Sequence, residues 1–178
     1  MNKDLETAIM LAERSQAQAE AVVATFLETP DPFARRSADQ WSPGENLEHL
    51  RLAVRPLNLA LLLPRFALRV FGRPRQHRPY EQVVEQYRAR LASGAKATTP
   101  FIPASLAPGT DGERLIRVFR QAYATYAARL GRRDEAFLDS IRLPHPILGR
   151  LTVREMAFFT LYHLHHHHQA IRQTVGPE

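Results

Sequence analysis

Cysteine is absent from the 178-residue chain, and its absence removes disulfide stapling, thiolate ligation of a metal and a cysteine nucleophile together. Any metal ion would have to be held by His, Asp or Glu. Long apolar runs are missing as well. The longest, "LNLALLLP" (Leu57 to Pro64), is less than half of the roughly 20 residues that a membrane-spanning helix needs, so no membrane partner is expected. The opening "MNKDLETAIMLAERSQAQAE" carries charges among its apolar positions and has neither a secretory h-region nor a cleavage site, which predicts a cytoplasmic protein. Lysine is nearly missing: Lys3 and Lys96 stand against 22 arginines. The resulting net charge of +6 would favour phosphate backbones if it were clustered. The arginines instead come as scattered singles and doublets (Arg35-Arg36, Arg132-Arg133), with one denser stretch at Arg65, Arg69, Arg73, Arg75 and Arg78. That spread reads as base composition of the genome more than ligand choice, and no nucleic-acid partner is expected.

What is present is helical periodicity over a length that suits one domain, residues 1–178, with a substantial core. From Met1 to Thr29, apolar residues at Leu5, Ala8, Ile9, Leu11, Ala12, Ala21, Val22, Ala24, Phe26 and Leu27 recur at helical steps until Pro30 and Pro32. In "SADQWSPGENLEHL", Ser42 is an N-cap, Pro43 a first helical residue and Glu45 the partner of a capping box, so a second helix begins at Pro43. It is expected to bend at Pro56 and to end near Pro64 or Phe71. Gly72 to Gly112 is a long excursion with one short helix expected at Tyr80 to Ser93. A third long helix is predicted from Asp111 to about Ser140, burying Leu115, Ile116, Phe119, Tyr123, Tyr126 and Leu130, and closed by the turn "LPHPILG". Thr152 and Glu155 form a second capping box for a fourth helix running to about Val175. No convincing strand is visible. The pattern predicts an all-α four-helix bundle.

The fourth helix contains "LYHLHHHHQAI", five histidines within Leu161 to Ile171. Only His165 to His168 are contiguous, and Gln169 to Glu178 follow them, unlike a tag at an extreme end. At 100° per residue, the apolar stripe Val153, Met156, Ala157, Thr160 continues through His163 and His167 to Ile171. Those two are the one pair among the five with the four-residue spacing that stacks two imidazoles for a shared ion. His165 and His168 fall on the opposite side and His166 at the flank, where a solvated face is expected. Buried imidazoles can simply be satisfied core groups, but two on one face are costly to bury without a ligand role. A partner is available in His49, whose stripe on the second helix runs through Leu52, Ala53, Pro56, Leu57 and Ala60. Three imidazoles with open positions is the pattern of a reactive metal centre, since a structural zinc is normally closed by four ligands. His77 and His145 sit in proline-containing loops where nothing fixes their direction.

"WSPGENLEHL" (Trp41 to Leu50), "HPILGRLT" (His145 to Thr152) and "YHLHHHHQAI" (Tyr162 to Ile171) resemble the three signature segments of the DinB superfamily of metal-dependent bacterial proteins. The intervening "RPLNLALLLPRFALRVFGRP" and "YRARLASGAKATTPFIP" are similar to one of its uncharacterised branches. The resemblance implies an up-down-down-up bundle, a divalent ion on His49, His163 and His167, and a homodimer. The family's last segment often has Gln before the Ile, whereas here Ala170 takes that place and Gln169 precedes it.

Some relatives use the thiols bacillithiol, mycothiol or glutathione, so the resemblance also implies a thiol-dependent S-transferase acting on an electrophile through a metal-bound thiolate. A bound divalent cation deprotonates a coordinating thiol and brings the pKa of a bound water to about 7. With no cysteine in the chain, the sulfur would come from a low-molecular-weight thiol. A metal-dependent hydrolase is the second reading, and a non-catalytic metal-binding stress-response module, its ion stitching helices together, the third. Zinc or nickel is the expected ion, with iron or manganese as alternatives. Among neighbouring groups, Glu45 is expected to be spent on its cap and Glu48 to lie about 100° round the helix from His49; Asn46 could hydrogen-bond a ring nitrogen, but for all three capping or solvation is the favoured reading. Trp41, Phe158, Phe159 and Tyr162 read as core.

Overall fold

Local signals start most of the helices where the sequence places them. The computed structural model describes residues 7–72 and 76–175; Leu5 of the first apolar stripe and Arg73 and Arg75 of the arginine stretch lie outside them. Thr7 caps α1 (Ala8–Glu28), its hydroxyl accepting from the Met10 amide at 3.2 Å. Its inward face is Leu11, Ala12, Ala19, Val22, Val23 and Phe26. Ser42 and Glu45 close the expected capping box on α2 (Pro43–Ala60), which carries Pro56 in its interior. The helix stops at Ala60, before Pro64. The chain then forms the single-turn α3 (Arg65–Leu68), with Pro64 at its N-cap, and a 3₁₀ turn at Arg69–Phe71.

The excursion contains α4 (Tyr80–Ala92), as expected, and a second 3₁₀ turn at Thr99–Phe101. Asp111 caps α5 (Gly112–Leu130), which buries all six predicted residues. The single helix expected from Asp111 to Ser140 is two. Gly131 ends α5, and Asp134 caps a new α6 (Glu135–Ser140) by accepting from the Phe137 amide at 2.6 Å. The interruption is held by Arg133, which donates to the Leu61 carbonyl and lies 4.4 Å over the Phe137 ring.

The turn "LPHPILG" is likewise more than a turn. Strand β1 (Arg142–His145) pairs antiparallel with β2 (Gly149–Thr152), Arg142 facing Thr152 and His145 facing Gly149. Four-residue strands, one containing Pro144, are too short to display alternation, so the sequence carries no legible strand pattern here. Gly149 takes φ +76°, which closes the hairpin. From Thr152 the chain enters α7 (Val153–Val175) through the second capping box, with Glu155 N to Thr152 Oγ1 at 3.1 Å and Thr152 N to Glu155 Oε2 at 2.9 Å.

The described chain is thus predominantly helical. Helix α1 packs on α5 and α7, α2 packs on α5 and α7, and α4 covers α7 from the side. The core between them holds Leu50, Phe119, Tyr123, Tyr126, Leu130 and Phe158, each fully buried; the Tyr123 hydroxyl donates to the Leu50 carbonyl at 3.2 Å. Among the described residues no helix is long and apolar enough to cross a membrane.

Candidate metal centre

Where α2 faces α7, the apolar stripes of both helices are interrupted by imidazoles. His49, His163 and His167 are 5%, 4% and 7% exposed, so all three point inward as the helical periodicity requires. The Nε2 of His163 lies 3.1 Å from the Nε2 of His49 and 3.1 Å from the Nε2 of His167. Each ring offers one nitrogen to a common region whose ligand atoms fall within 4.8 Å of one another. Among the described residues no carboxylate or fourth imidazole joins them.

The outer nitrogens decide which atom carries each proton. His49 Nδ1 sits 2.6 Å from the Phe101 carbonyl oxygen, which can only accept; the proton is therefore on Nδ1, and Nε2 turns a lone pair inward. The amide of Asn46 is fixed by donating from Nδ2 to the Ser42 carbonyl at 2.9 Å and the Trp41 carbonyl at 3.2 Å. That leaves its Oδ1 to accept from His167 Nδ1 at 2.7 Å. His167 accordingly presents a second Nε2 lone pair to the same region. Asn46, for which capping or solvation is the favoured expectation from sequence, instead serves a ring nitrogen of the centre.

Two lone pairs converge on His163 Nε2, which can carry at most one proton. Such an arrangement is electrostatically poor when empty and well suited to a cation. Bonds of about 2.0–2.1 Å from zinc to imidazole nitrogen would separate neighbouring nitrogens by about 3.3 Å at tetrahedral angles, close to the spacing observed. The donor set fits a divalent transition metal. Burial, and after it the nearby imidazoles, hold His163 and His167 well below the ordinary histidine pKa, and burial lowers His49 against the opposing pull of the Phe101 carbonyl. All three rings are then neutral and ready to ligate at neutral pH.

The nearby carboxylates are committed elsewhere. Glu45 receives the Ser42 amide at 2.8 Å and a two-pronged ion pair from Arg35 at 2.7 and 2.5 Å. Glu48 is paired with Arg51 at 2.6 Å. Glu45 serves its cap as expected, while Glu48 is held in an ion pair where capping or solvation is the expectation.

Several expectations need correction. His168 is no solvated side chain: its ring joins Gln18 at 3.0 Å and Thr25 at 2.8 Å, tying α7 to α1. His166 is half-buried and stacks near Tyr162 with 6.2 Å between ring centres. Only His165 is exposed as expected, in contact with Gln169 at 2.9 Å. Trp41 is half-buried and not core, lying 4.7 Å from the His49 ring, and the buried Phe159 stacks on His163 at 4.9 Å. His77 pairs with Asp139 at 3.1 Å, away from the centre.

His145 is the residue that sequence reasoning left without a direction. Strand β1 brings it beside Phe159, 4.3 Å between rings, and its Nδ1 accepts from the Ile147 and Leu148 amides at 3.2 and 3.0 Å. Burial lowers its pKa to about 4. The only sequence signal was its place in the turn segment. The Phe101 carbonyl had none, being backbone. His145, His166, Trp41 and Phe101 line a cavity of about 420 Å³ onto which all three inward imidazoles open.

Fold and site together define a predominantly helical protein with a buried three-imidazole centre at the wall of a cavity. The chain matches the DinB superfamily over residues 11–171 and belongs to it. No curated protein and no solved structure matches it.

Proposed function

We propose that this chain is a DinB-like enzyme in which His49, His163 and His167 hold a divalent ion, zinc or nickel before iron or manganese, and that it acts as a thiol-dependent S-transferase. One observation carries the reading: the Nε2 atoms of His49 and His167 each lie 3.1 Å from that of His163 on the wall of a 420 Å³ cavity. An ion that only stitched α2 to α7 would need no such space beside it, which sets the non-catalytic module below an enzyme.

When bound, a divalent ion would supply Lewis acidity, lowering the pKa of a thiol or water that joins it. The chain's own residues orient and insulate. Asn46 and the Phe101 carbonyl lock the rings of His167 and His49 in the tautomer that ligates. Trp41 and Phe159 cover the rings and limit water. The chain has no cysteine, so the attacking sulfur would come from a small thiol and the electrophile would enter through the cavity.

A metal-dependent hydrolase is the second reading. It is favoured by the absence of any cationic side chain among the described residues lining the cavity, since the carboxylates of an anionic thiol would find no counter-charge there.

Around the site, we read residues 1–178 as one domain in which α1, α2, α5 and α7 make a four-helix bundle of up-down-down-up order. Supporting this, α2 and α7 run oppositely, with Asn46 at His167 and His49 at His163. Helices α2 and α5 run together, with Leu50 at Tyr123, Asn58 at Arg129 and Leu61 at Arg133. A cytoplasmic homodimer without nucleic-acid or membrane partners completes the proposal.

Elemental analysis of untagged protein tests the centre. About one ion per chain is expected, lost in His49→Ala and His167→Ala and kept in His165→Ala; equal retention in all three would refute it. Turnover of chlorodinitrobenzene only with an added thiol, abolished by chelation, would mark the transferase. Ester cleavage without thiol would mark the hydrolase.

A further inference from the structure

The cavity beside the imidazoles differs sharply from the rest of the chain in charge. The protein has 24 basic and 18 acidic residues, yet no described residue lining the cavity is Asp, Glu, Lys or Arg. Much of the lining is apolar, including Leu57, Leu68, Phe71, Leu91, Ile147 and Met156.

The polar groups on the lining are uncharged. His145 Nδ1 accepts from two turn amides, so its proton is on Nε2, which has no partner among the described residues. The Tyr87 hydroxyl on the same wall has none either, and burial pushes its pKa up to about 12. Both are neutral donors. Away from the imidazoles, desolvating an anion or a cation into this space would cost several kcal/mol, with no charged side chain on the lining to compensate it. An uncharged molecule would instead gain roughly 25 cal/mol for each Å² of apolar surface it buries there, and the cavity's volume is that of an ordinary small-ligand pocket.

We infer that the ligand of this cavity is a neutral, largely apolar small molecule, of aryl or acyl type, with its polar end toward the three imidazoles, His145 and Tyr87. Phosphorylated, carboxylated and coenzyme A-linked compounds are excluded as the buried portion. The inference rests on the proposed metal centre for the orientation of the ligand; the choice of an uncharged apolar body stands on the lining alone.

A matched pair of fluorescent probes separates the two. N-phenyl-1-naphthylamine and 1-anilinonaphthalene-8-sulfonate share one skeleton and differ by a sulfonate. The neutral probe is expected to bind one per chain, at least tenfold tighter than the anionic one, in both metal-free and metal-loaded protein. Ala60→Trp, which fills the cavity from α2 away from the imidazoles, should weaken the neutral probe at least tenfold and leave the metal content unchanged. Ala97→Trp fills it from the loop wall and should do the same without altering a helix. Equal affinity for the two probes, or neutral binding that survives both tryptophans, overturns the inference. Probe binding without any metal uptake would retain the cavity reading and remove the metal centre; metal uptake without selective probe binding would do the reverse.

Discussion

Oδ1 of Asn46 accepts a hydrogen bond from Nδ1 of His167 at 2.7 Å across the interface of α2 and α7. The amide cannot turn over to donate there, because its Nδ2 already serves the carbonyls of Ser42 and Trp41. The capping geometry of α2 is therefore transmitted to the protonation state of an imidazole on another helix. Replacing Asn46 with Leu frees His167 to take the other tautomer, and such outer hydrogen bonds are worth about 10- to 100-fold in metal affinity. Competition against a chelator should show a loss of that size in Asn46→Leu with a nearly unchanged helical circular-dichroism spectrum. Unaltered affinity would mean that the bond does not orient the ring.

The buried imidazoles predict how the metal-free protein responds to acid. Burial lowers His145 to about 4, and burial followed by neighbouring rings holds His163 and His167 well below 6.5. Unfolding returns each ring to an ordinary pKa of about 6.5. Below that pH the unfolded chain binds protons that the folded chain refuses, so stability is intact above about 6.5 and declines as pH falls toward 4. The urea midpoint should drop across this window, and less steeply in His145→Asn, whose shorter side chain can still accept from the turn amides. The carboxyls of Glu155 and Asp139 are also lowered: burial opposes the shift, but the hydrogen bonds from Arg78 and from Arg154 outweigh it. Their contribution is lost only below the ordinary carboxyl range, about 4. A midpoint that stays level from pH 7 to 4 would contradict the assignment.

Legibility in the sequence followed the range of the forces involved. Both capping boxes, Ser42 with Glu45 and Thr152 with Glu155, act over three residues and could be read directly, as could the inward direction of His163 and His167. The break at Gly131 depends on Arg133 meeting Leu61 and Phe137, one of which lies 72 positions away. A long apolar stripe hid it. His168 could not be placed from its helical angle because its partners, Gln18 and Thr25, come from the other end of the chain. His145 acquired its direction from a hairpin too short to leave a pattern. The inward imidazoles are thus readable, whereas the walls of the cavity are supplied by packing of distant segments.

Glu155 links that hairpin region to the excursion. Its carboxylate caps α7 and also receives the Arg78 amide at 2.8 Å and the Arg78 guanidinium at 2.8 and 3.0 Å. Glu155 itself is 4% exposed. Glu155→Ala removes the carboxylate half of the capping box and strands a partly buried cation, which should cost about 2–4 kcal/mol in urea unfolding. Glu155→Gln keeps a capping acceptor and should recover about 1 kcal/mol of that. Equal stability of the alanine and glutamine variants would show that the cap contributes nothing beyond the charge.

Gly44 carries the last test, because it connects backbone spacing to the site. A Cβ at this position would lie 2.7 Å from both Cδ1 and Cε1 of Phe33, while the Gly44 amide donates to the Pro32 carbonyl at 2.7 Å. The first turn of α2 is thereby pressed against the preceding loop, two residues before Asn46. Gly44→Ala must displace Phe33 or the turn, at about 1–3 kcal/mol. If the turn moves, Asn46 moves with it and metal affinity falls together with stability. Phe33→Leu removes the clashing ring edge, so the double variant should be less destabilised than the sum of the two single ones and should regain affinity. Strict additivity of the two substitutions would show that the contact does not set the position of the helix start.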